Sequence, residues 1–216
     1  MIFYTKKEER INTWSHAAGI ALGIVVGIGF LVWCHRADDV WATTSIILYL
    51  AGMLGSYIAS TVYHALPQHW PAREVLRRFD HAAIYWHIAG SYSPITLIAM
   101  RDAGMWGWGL FCFVWLCAIA GTVMSFINLK EHSHIETACY VLMGLSVLVV
   151  FKPLMECVSP AAVGWLIAEG VMYITGAVFY AIGPRRPYAH SVFHFFVLAG
   201  SVCHIICVWD VLMQYL

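Results

Sequence analysis

The sequence predicts an all-α membrane protein, a seven-transmembrane helix bundle formed by a single domain over residues 1–216. Hydrophobic residues make up 61% of the chain and charged residues only 11%, which is far from the composition of soluble globular domains. Apolar runs of about 20 residues, the length needed to cross the hydrocarbon layer, recur between short polar breaks. The formal net charge is zero and no basic groove with interleaved aromatic residues is apparent, so no nucleic-acid partner is expected.

The seven apolar runs are interpreted as helices in chain order. The first lacks a small-residue cleavage site and is longer than the core of a signal peptide, so it is expected to remain as a helix. Breaks such as "LPQHWPAREVLRR" and "GPRRP" contain the prolines and arginines that are typical of helix ends. Residues 1–13 are predicted to form a cytoplasmic tail. The predicted helices are Trp14–Trp33, Trp41–Leu66, Phe79–Met100, Met105–Ile127, Ile135–Phe151, Ala161–Ile182 and His190–Tyr215.

The orientation follows from the lysines and arginines in the connections, because short loops rich in these residues stay on the cytoplasmic side. Nine of them fall on the side of the amino terminus and three on the opposite side. The amino terminus is therefore predicted to be cytoplasmic and the carboxyl terminus outside. The nine are Lys6, Lys7, Arg10, Arg73, Arg77, Arg78, Lys130, Arg185 and Arg186, and the three are Arg36, Arg101 and Lys152.

Histidines occur where the chain is otherwise apolar, most clearly in "HSVFHFFVLAGSVCH" at the start of the seventh predicted helix. His190 and His194 are four residues apart, so on a helix they share a face and could ligate one ion. A zinc site that performs chemistry normally has three protein ligands and leaves a fourth position for water. The second predicted helix places His64 four residues after Ser60 and so offers a third imidazole.

The predicted topology brings these residues to one face of the membrane. His64 lies three residues before Pro67, and Asp80 lies two residues after Arg78. His190 and His194 begin the seventh helix just after the "GPRRP" loop. With a rise of about 1.5 Å per residue, all four lie within a turn or two of the cytoplasmic face. Ionisable groups inside a membrane are costly, so this cluster is interpreted as functional.

Other interpretations apply to the remaining polar groups. Four histidines are expected either to make hydrogen bonds between helices or to lie partly hydrated in the membrane interface, namely His16, His81, His87 and His204. Four more are expected to be solvated in loops, namely His35, His69, His132 and His134. For Asp80, a salt bridge to Arg77 or Arg78 is an alternative to a role in the cluster.

Four sequence features together resemble the haemolysin III branch of the progestin and adipoQ receptor family. They are "EERINTWSH" before the first predicted helix, "SxxxH" at the end of the second, "FDHAAIYWHIAGSYSP" in the third and "HxxxH" at the start of the seventh. The resemblance covers nearly the whole chain. Glu9, Asn12 and His16 match the amino-terminal signature of the bacterial members, for which the resemblance supplies no role.

The resemblance implies a zinc ion inside a seven-helix bundle near the cytoplasmic face. By motif, its ligands are His64, His190 and His194, with Asp80 holding the zinc-bound water and Ser60 lining the site. The wider superfamily includes alkaline ceramidases, which implies amide hydrolysis of a lipid. The resemblance also implies location in a bacterial inner membrane.

Three functions are carried forward from these observations. The first is a zinc-dependent hydrolase of lipid amides or esters that contributes to membrane lipid homeostasis, with membrane lipids as its partners. The second is a non-enzymatic sensor of membrane state in which zinc is structural. The third is a haemolysin-like cytolysin, although a pore should show a continuous polar stripe and the outer halves of these helices are almost uniformly apolar. The sequence does not determine the oligomeric state.

Overall fold

Residues 4–127 and 134–216 are described by a computed structural model, and their regular structure is helical. The helix α3 continues into a π-helical turn, Ile95–Ala99, and α5 and α6 are joined by a 3-10 segment, Leu145–Val150. A short 3-10 turn, Gly183–Arg185, precedes the last helix. The helices are α1 (Lys6–Arg36), α2 (Val40–Ala65), α3 (Ala72–Pro94), α4 (Met105–Ile127), α5 (His134–Gly144), α6 (Phe151–Cys157), α7 (Pro160–Ile182) and α8 (Ala189–Tyr215).

Six helices within the described ranges are long and apolar enough to cross a membrane. They are α1, α2, α4, the continuous rod Ile135–Cys157, α7 and α8. The helix α3 is not among them, because its first nine residues include three arginines, a glutamate and an aspartate. The all-helical membrane architecture is confirmed, whereas the count of seven spans and the orientation of the termini stay predictions.

The first helix begins at Lys6, eight residues before the predicted start at Trp14. Thr5 caps it: its hydroxyl accepts from the Glu8 amide at 3.2 Å, while the Glu8 carboxylate accepts from the Thr5 amide at 2.8 Å. This reciprocal pair satisfies two amide groups that a helix start leaves without partners. Residues 6–13, predicted as a tail, are therefore the first two turns of α1.

The fifth predicted helix is longer than expected, since helical structure continues beyond Phe151 to Cys157. Pro153 is tolerated because it is the third residue of α6, where a backbone amide has no intrahelical partner. Tyr92 of α3 supports the 3-10 segment that precedes α6. Its hydroxyl donates to the Gly144 carbonyl at 2.5 Å and accepts from the Val147 amide at 3.1 Å.

Small residues let the first three helices pack closely. A side chain on Gly52 of α2 would lie 2.3 Å from the carbonyl oxygen of Trp86 in α3. A side chain on Gly19 of α1 would lie 2.6 Å from the ring of Tyr57 in α2. Such close backbone approach is the usual basis of helix association in membranes, where no hydrophobic effect acts between helices.

The interior of the bundle changes from polar to apolar along α8. Its last turns contribute Val208, Val211 and Leu212 to the same buried apolar core as Ile46 and Met53 of α2. Its first turns instead bury histidine and serine side chains. The polar cluster thus lies at the end of the bundle where α1 and α8 begin and α2 ends.

Candidate metal centre

Three histidines meet at the polar end of the bundle. His64 is in the last turn of α2, and His190 and His194 occupy the first two turns of α8. Nε2 of His190 lies 3.3 Å from Nε2 of His64 and 3.1 Å from Nε2 of His194. One ligand atom from each residue lies within 4.8 Å of the other two. The histidines predicted from the sequence therefore form a group that could hold a metal ion.

Two of the three nitrogen separations suit a tetrahedral ion. Zinc binds imidazole nitrogen at about 2.0–2.1 Å, which puts two ligand atoms of a tetrahedron about 3.3–3.4 Å apart. The two short Nε2 separations in the cluster are close to that edge length. His64, His190 and His194 are 2%, 9% and 1% exposed. The donor set is thus nearly shielded from solvent.

The orientation of His64 is fixed by a glutamate of α1. Nδ1 of His64 donates to Oε2 of Glu9 at 2.6 Å. The other oxygen of Glu9 forms a salt bridge with the buried guanidinium of Arg73 and accepts from Gln68 Nε2 at 2.9 Å. Because Nδ1 is occupied by Glu9, Nε2 is the nitrogen of His64 that faces the other two histidines.

The orientation of His194 is fixed by Ser15, a serine of α1. Nδ1 of His194 lies 3.3 Å from the hydroxyl of Ser15, which itself donates to the Asn12 carbonyl at 2.9 Å. The side-chain oxygen of Asn12 accepts from the hydroxyl of Ser191 at 2.6 Å. The start of α1 is therefore bonded to the start of α8 beside two of the three histidines.

Two aromatic rings pack on the histidines of α8. Tyr4 stacks on His190 with 4.8 Å between ring centroids, and His16 stacks on His194 at 3.8 Å. Burial raises the pKa of the Tyr4 hydroxyl, so this phenol stays neutral. The stacking restrains the histidine rings without adding the charge of a phenolate.

Asp80 and Ser60, the other residues singled out from the sequence, lie next to the cluster. The hydroxyl of Ser60 and the ring of His64 lie close enough to the Asp80 carboxyl group to interact with it. Arg77 pairs with Glu74 at 2.9 Å, and Arg78 donates to the Phe126 carbonyl at 2.9 Å. No catalytic role is tested by these contacts, so the roles of Asp80 and Ser60 stay predictions.

Two of the other buried histidines make the predicted bonds between helices. Nδ1 of His81 lies 3.1 Å from Glu136 of α5, and Nδ1 of His204 lies 2.7 Å from Glu169 of α7. The prediction of such a bond is wrong for His16, whose two ring nitrogens lack a partner among the described residues.

The remaining histidines divide between ring contacts, loops and helix ends. His87 packs edge-on against the ring of Tyr57. His69 lies in a loop as predicted, whereas His35 is in the last turn of α1 and His134 is the first residue of α5. His132 lies outside the described residues.

Sequence reasoning did not assign Glu9 and Ser15 to the centre. Glu9 is in the predicted cytoplasmic tail and Ser15 is at the start of the first predicted helix, and neither is part of a metal-ligand spacing. The missed signal is "TKKE", residues 5–8, which has the T-x-x-E pattern of a capping box and predicts a helix from Lys6. On that helix, Glu9, Asn12 and His16 fall at intervals of three and four and share a face.

The apolar helices and the buried three-histidine group define a class, a multi-pass protein of the cell membrane with a candidate metal centre at one end of its bundle. The chain belongs to the haemolysin-III related family, whose model matches residues 4–205. This match includes all three histidines and Glu9.

Relatives are found in bacteria and eukaryotes. The chain is 32% identical to hemolysin-3 of Bacillus cereus over 94% of this chain and 90% of that protein. It is 28% identical to the monocyte to macrophage differentiation factor of Homo sapiens, over 96% of this chain and 85% of the relative. It is 26% identical to the ADIPOR-like receptor IZH2 of Saccharomyces cerevisiae, over 94% and 71% of the two chains.

Proposed function

We propose that this protein is a zinc-dependent hydrolase of lipid amides or esters, with its site near the cytoplasmic face of the membrane. The observation that carries the proposal is the convergence of three imidazole Nε2 atoms beside a carboxyl group in a membrane bundle. Structural zinc sites use four protein ligands, whereas catalytic sites use three and keep one position for water or substrate. The three-histidine set fits the catalytic type.

Zinc is the metal that the donor set favours. Imidazole ligands suit zinc among the common biological metals, and carboxylate-rich sites suit magnesium or calcium. When bound by three neutral imidazoles, zinc lowers the pKa of a water molecule to about 7 and polarises a carbonyl oxygen. His64, His190 and His194 would hold the ion.

Asp80 is assigned the transfer of a proton. Its carboxylate oxygen takes a proton from the attacking water and returns it to the leaving amine or alcohol. The hydroxyl of Ser60, which interacts with Asp80, holds the carboxyl group in place. Asp80 is thus the acid–base group of the proposed reaction, and Ser60 orients it.

The choice of a lipid substrate depends on the proposed topology. In that topology α3 also crosses the membrane, which adds one span to the six described above and makes seven. Residues 81–100 contain no Asp, Glu, Lys or Arg, so this stretch of α3 and its π-helical turn is long enough to cross the hydrocarbon layer. Arg73, on the preceding turns, is buried against Glu9. With the amino terminus inside, the cluster would meet an amide or ester just below the headgroups.

Replacing Asp80 by asparagine tests the proposal, because asparagine keeps the size of the side chain but does not accept the proton. Purified parent and Asp80→Asn proteins are compared for zinc content and for release of fatty acid from ceramides, acyl amides and phospholipids. The mutant should keep its zinc and lose turnover by about a hundredfold or more. Asp210→Asn is the matched control, since Asp210 bonds Ser159 at the opposite end of α8.

Two results would count against the hydrolase. Parent protein that carries zinc but releases no fatty acid from any of these lipids would favour a structural ion. Undiminished turnover in Asp80→Asn would remove Asp80 from the reaction.

A second candidate is a sensor of membrane state with structural zinc. The observation that favours it is that the three ligands come from α2 and α8, so that a metal ion would fasten two helices far apart in sequence. In this case Asp80→Asn should leave both zinc content and cellular phenotype unchanged.

A further inference from the structure

The segment "EERINTWSH", residues 8–16, lies against the three histidines but supplies none of the candidate ligands. Glu9, Asn12, Ser15 and His16 are all buried. Three of their contacts reach the histidines: Glu9 bonds His64, Ser15 bonds His194, and His16 stacks on His194. One face of α1 therefore packs against the candidate metal centre.

Both carboxylate oxygens of Glu9 are bonded, one to His64 and the other to Arg73 and Gln68. At 2.6 Å the bond to His64 is short, as is typical of hydrogen bonds to an ionised carboxylate. The guanidinium of Arg73, which is 1% exposed, and the amide of Gln68 hold the second oxygen of Glu9. A buried carboxylate needs such partners, and here they also prevent it from turning away from His64.

Only one of the two nitrogens of His64 is then available for a metal ion. Because Nδ1 donates to Glu9, the neutral imidazole presents the lone pair of Nε2 toward His190 and His194. A carboxylate on the far nitrogen also raises the basicity of a ligating histidine. Glu9 therefore determines both the tautomer of His64 and its strength as a ligand.

We propose that the segment Glu9–His16 of α1 holds the histidines in their metal-ligating orientations, with Glu9 as the positioning residue for His64 and Ser15 as that for His194. This inference rests on the proposed function only in taking the three-histidine group as a zinc site. It assigns a role to the amino-terminal motif that the proposed reaction does not use.

The zinc affinity of Glu9→Gln tests the inference. Affinity is measured in detergent by competition with a chelator for parent, Glu9→Gln and Glu169→Gln. The last variant is the matched control, because it breaks a buried glutamate–histidine bond of similar length, 2.7 Å, between α7 and α8. Loss of such a partner typically weakens metal binding by 10–100-fold. Glu9→Gln should show that loss, and Glu169→Gln should bind zinc within about twofold of the parent.

A spectroscopic readout separates positioning from a general loss of structure. In the zinc-bound parent, the proton on Nδ1 of His64 should give a strongly downfield resonance in proton–nitrogen NMR, because it is shared with a carboxylate. That resonance should lose its strong downfield shift in Glu9→Gln and keep it in Glu169→Gln. If Glu9→Gln does not fold, Ser15→Ala tests the segment through the same affinity measurement, with a smaller expected loss of about three- to tenfold.

The outcomes distinguish this inference from the proposed function. Equal zinc affinity in parent and Glu9→Gln would overturn the positioning role and leave the zinc site intact. Equal losses in Glu9→Gln and Glu169→Gln would overturn it as well, because the effect would then be general. A parent that binds no zinc would instead overturn the zinc site itself.

Discussion

Nε2 of His64 and Nε2 of His190 lie 3.3 Å apart, although 126 residues separate the two histidines in the chain. Two hydrogen-bonding nitrogens at this distance share a single proton at most, and the arrangement is also that of two ligands on one tetrahedral ion. Because the third imidazole completes the group, a metal ion bound here would satisfy all three nitrogens at once.

Removing any one of these imidazoles should remove the metal. His64→Ala, His190→Ala and His194→Ala are each expected to lower bound zinc strongly, since two protein ligands do not hold the ion. Zinc per protein is measured by elemental analysis after purification in detergent. His204→Ala, which removes a buried histidine of α8 bonded to Glu169, is the control and should keep its zinc. Full zinc in all three ligand variants would contradict the assignment.

Metal removal should lower the stability of the folded protein. A ligand present at a thousand times its dissociation constant stabilises the native state by about 4 kcal/mol. Thermal unfolding of parent protein followed with and without a chelator should therefore show a fall of several degrees in melting temperature. The same comparison on His64→Ala should show no shift, and a shift of equal size there would mean that the chelator acts elsewhere.

The proposed orientation predicts the response of topology reporters. A reporter fused after Leu216 should behave as external, and one inserted at Arg185, just before α8, should behave as cytoplasmic. The lysines and arginines on the amino-terminal side are the physical reason. If the two reporters gave the reverse pattern, the histidine cluster would lie at the outer face, away from cytoplasmic substrates.

Close packing of α2 on α3 predicts different effects at two glycines of one helix. A methyl group at Gly52 would lie 2.3 Å from the Trp86 carbonyl, whereas one at Gly55 has nothing within 4 Å. Gly52→Ala should be destabilising by about 1–3 kcal/mol, the usual cost of overpacking. Gly55→Ala should be neutral or slightly stabilising, because alanine favours helices by about 1 kcal/mol. Melting temperatures measure both, and equal values would contradict this packing.

Sequence spacing was sufficient to find the three histidines because the signal was local and the topology was simple. His190 and His194 are one helical turn apart, and the charged loops placed His64 at the same face. The interaction of Ser60 with Asp80 agrees with that placement. Catalysis does not follow from position alone, so it stays a prediction.

The role of Glu9 could not be predicted from the sequence, for a physical reason. A glutamate near a run of lysines has the composition of a solvated tail, and its burial depends on Arg73 and Gln68, which lie more than 50 residues away. The end of the fifth predicted helix was missed because Lys152 and Pro153 interrupt the apolar pattern, while Tyr92 supplies the bonds that keep the rod continuous.

The contact between the start of α1 and the start of α8 has a consequence for biogenesis. During translation and membrane insertion, Glu9 and Ser15 emerge first, but the nitrogens they hold belong partly to residues made almost 180 positions later. The centre therefore cannot assemble while the nascent chain is being threaded into the bilayer, and a chain arrested before His194 has no complete ligand set. A metal ion held by all three histidines would therefore be loaded only after α8 is inserted, so bound metal would report that insertion has been finished.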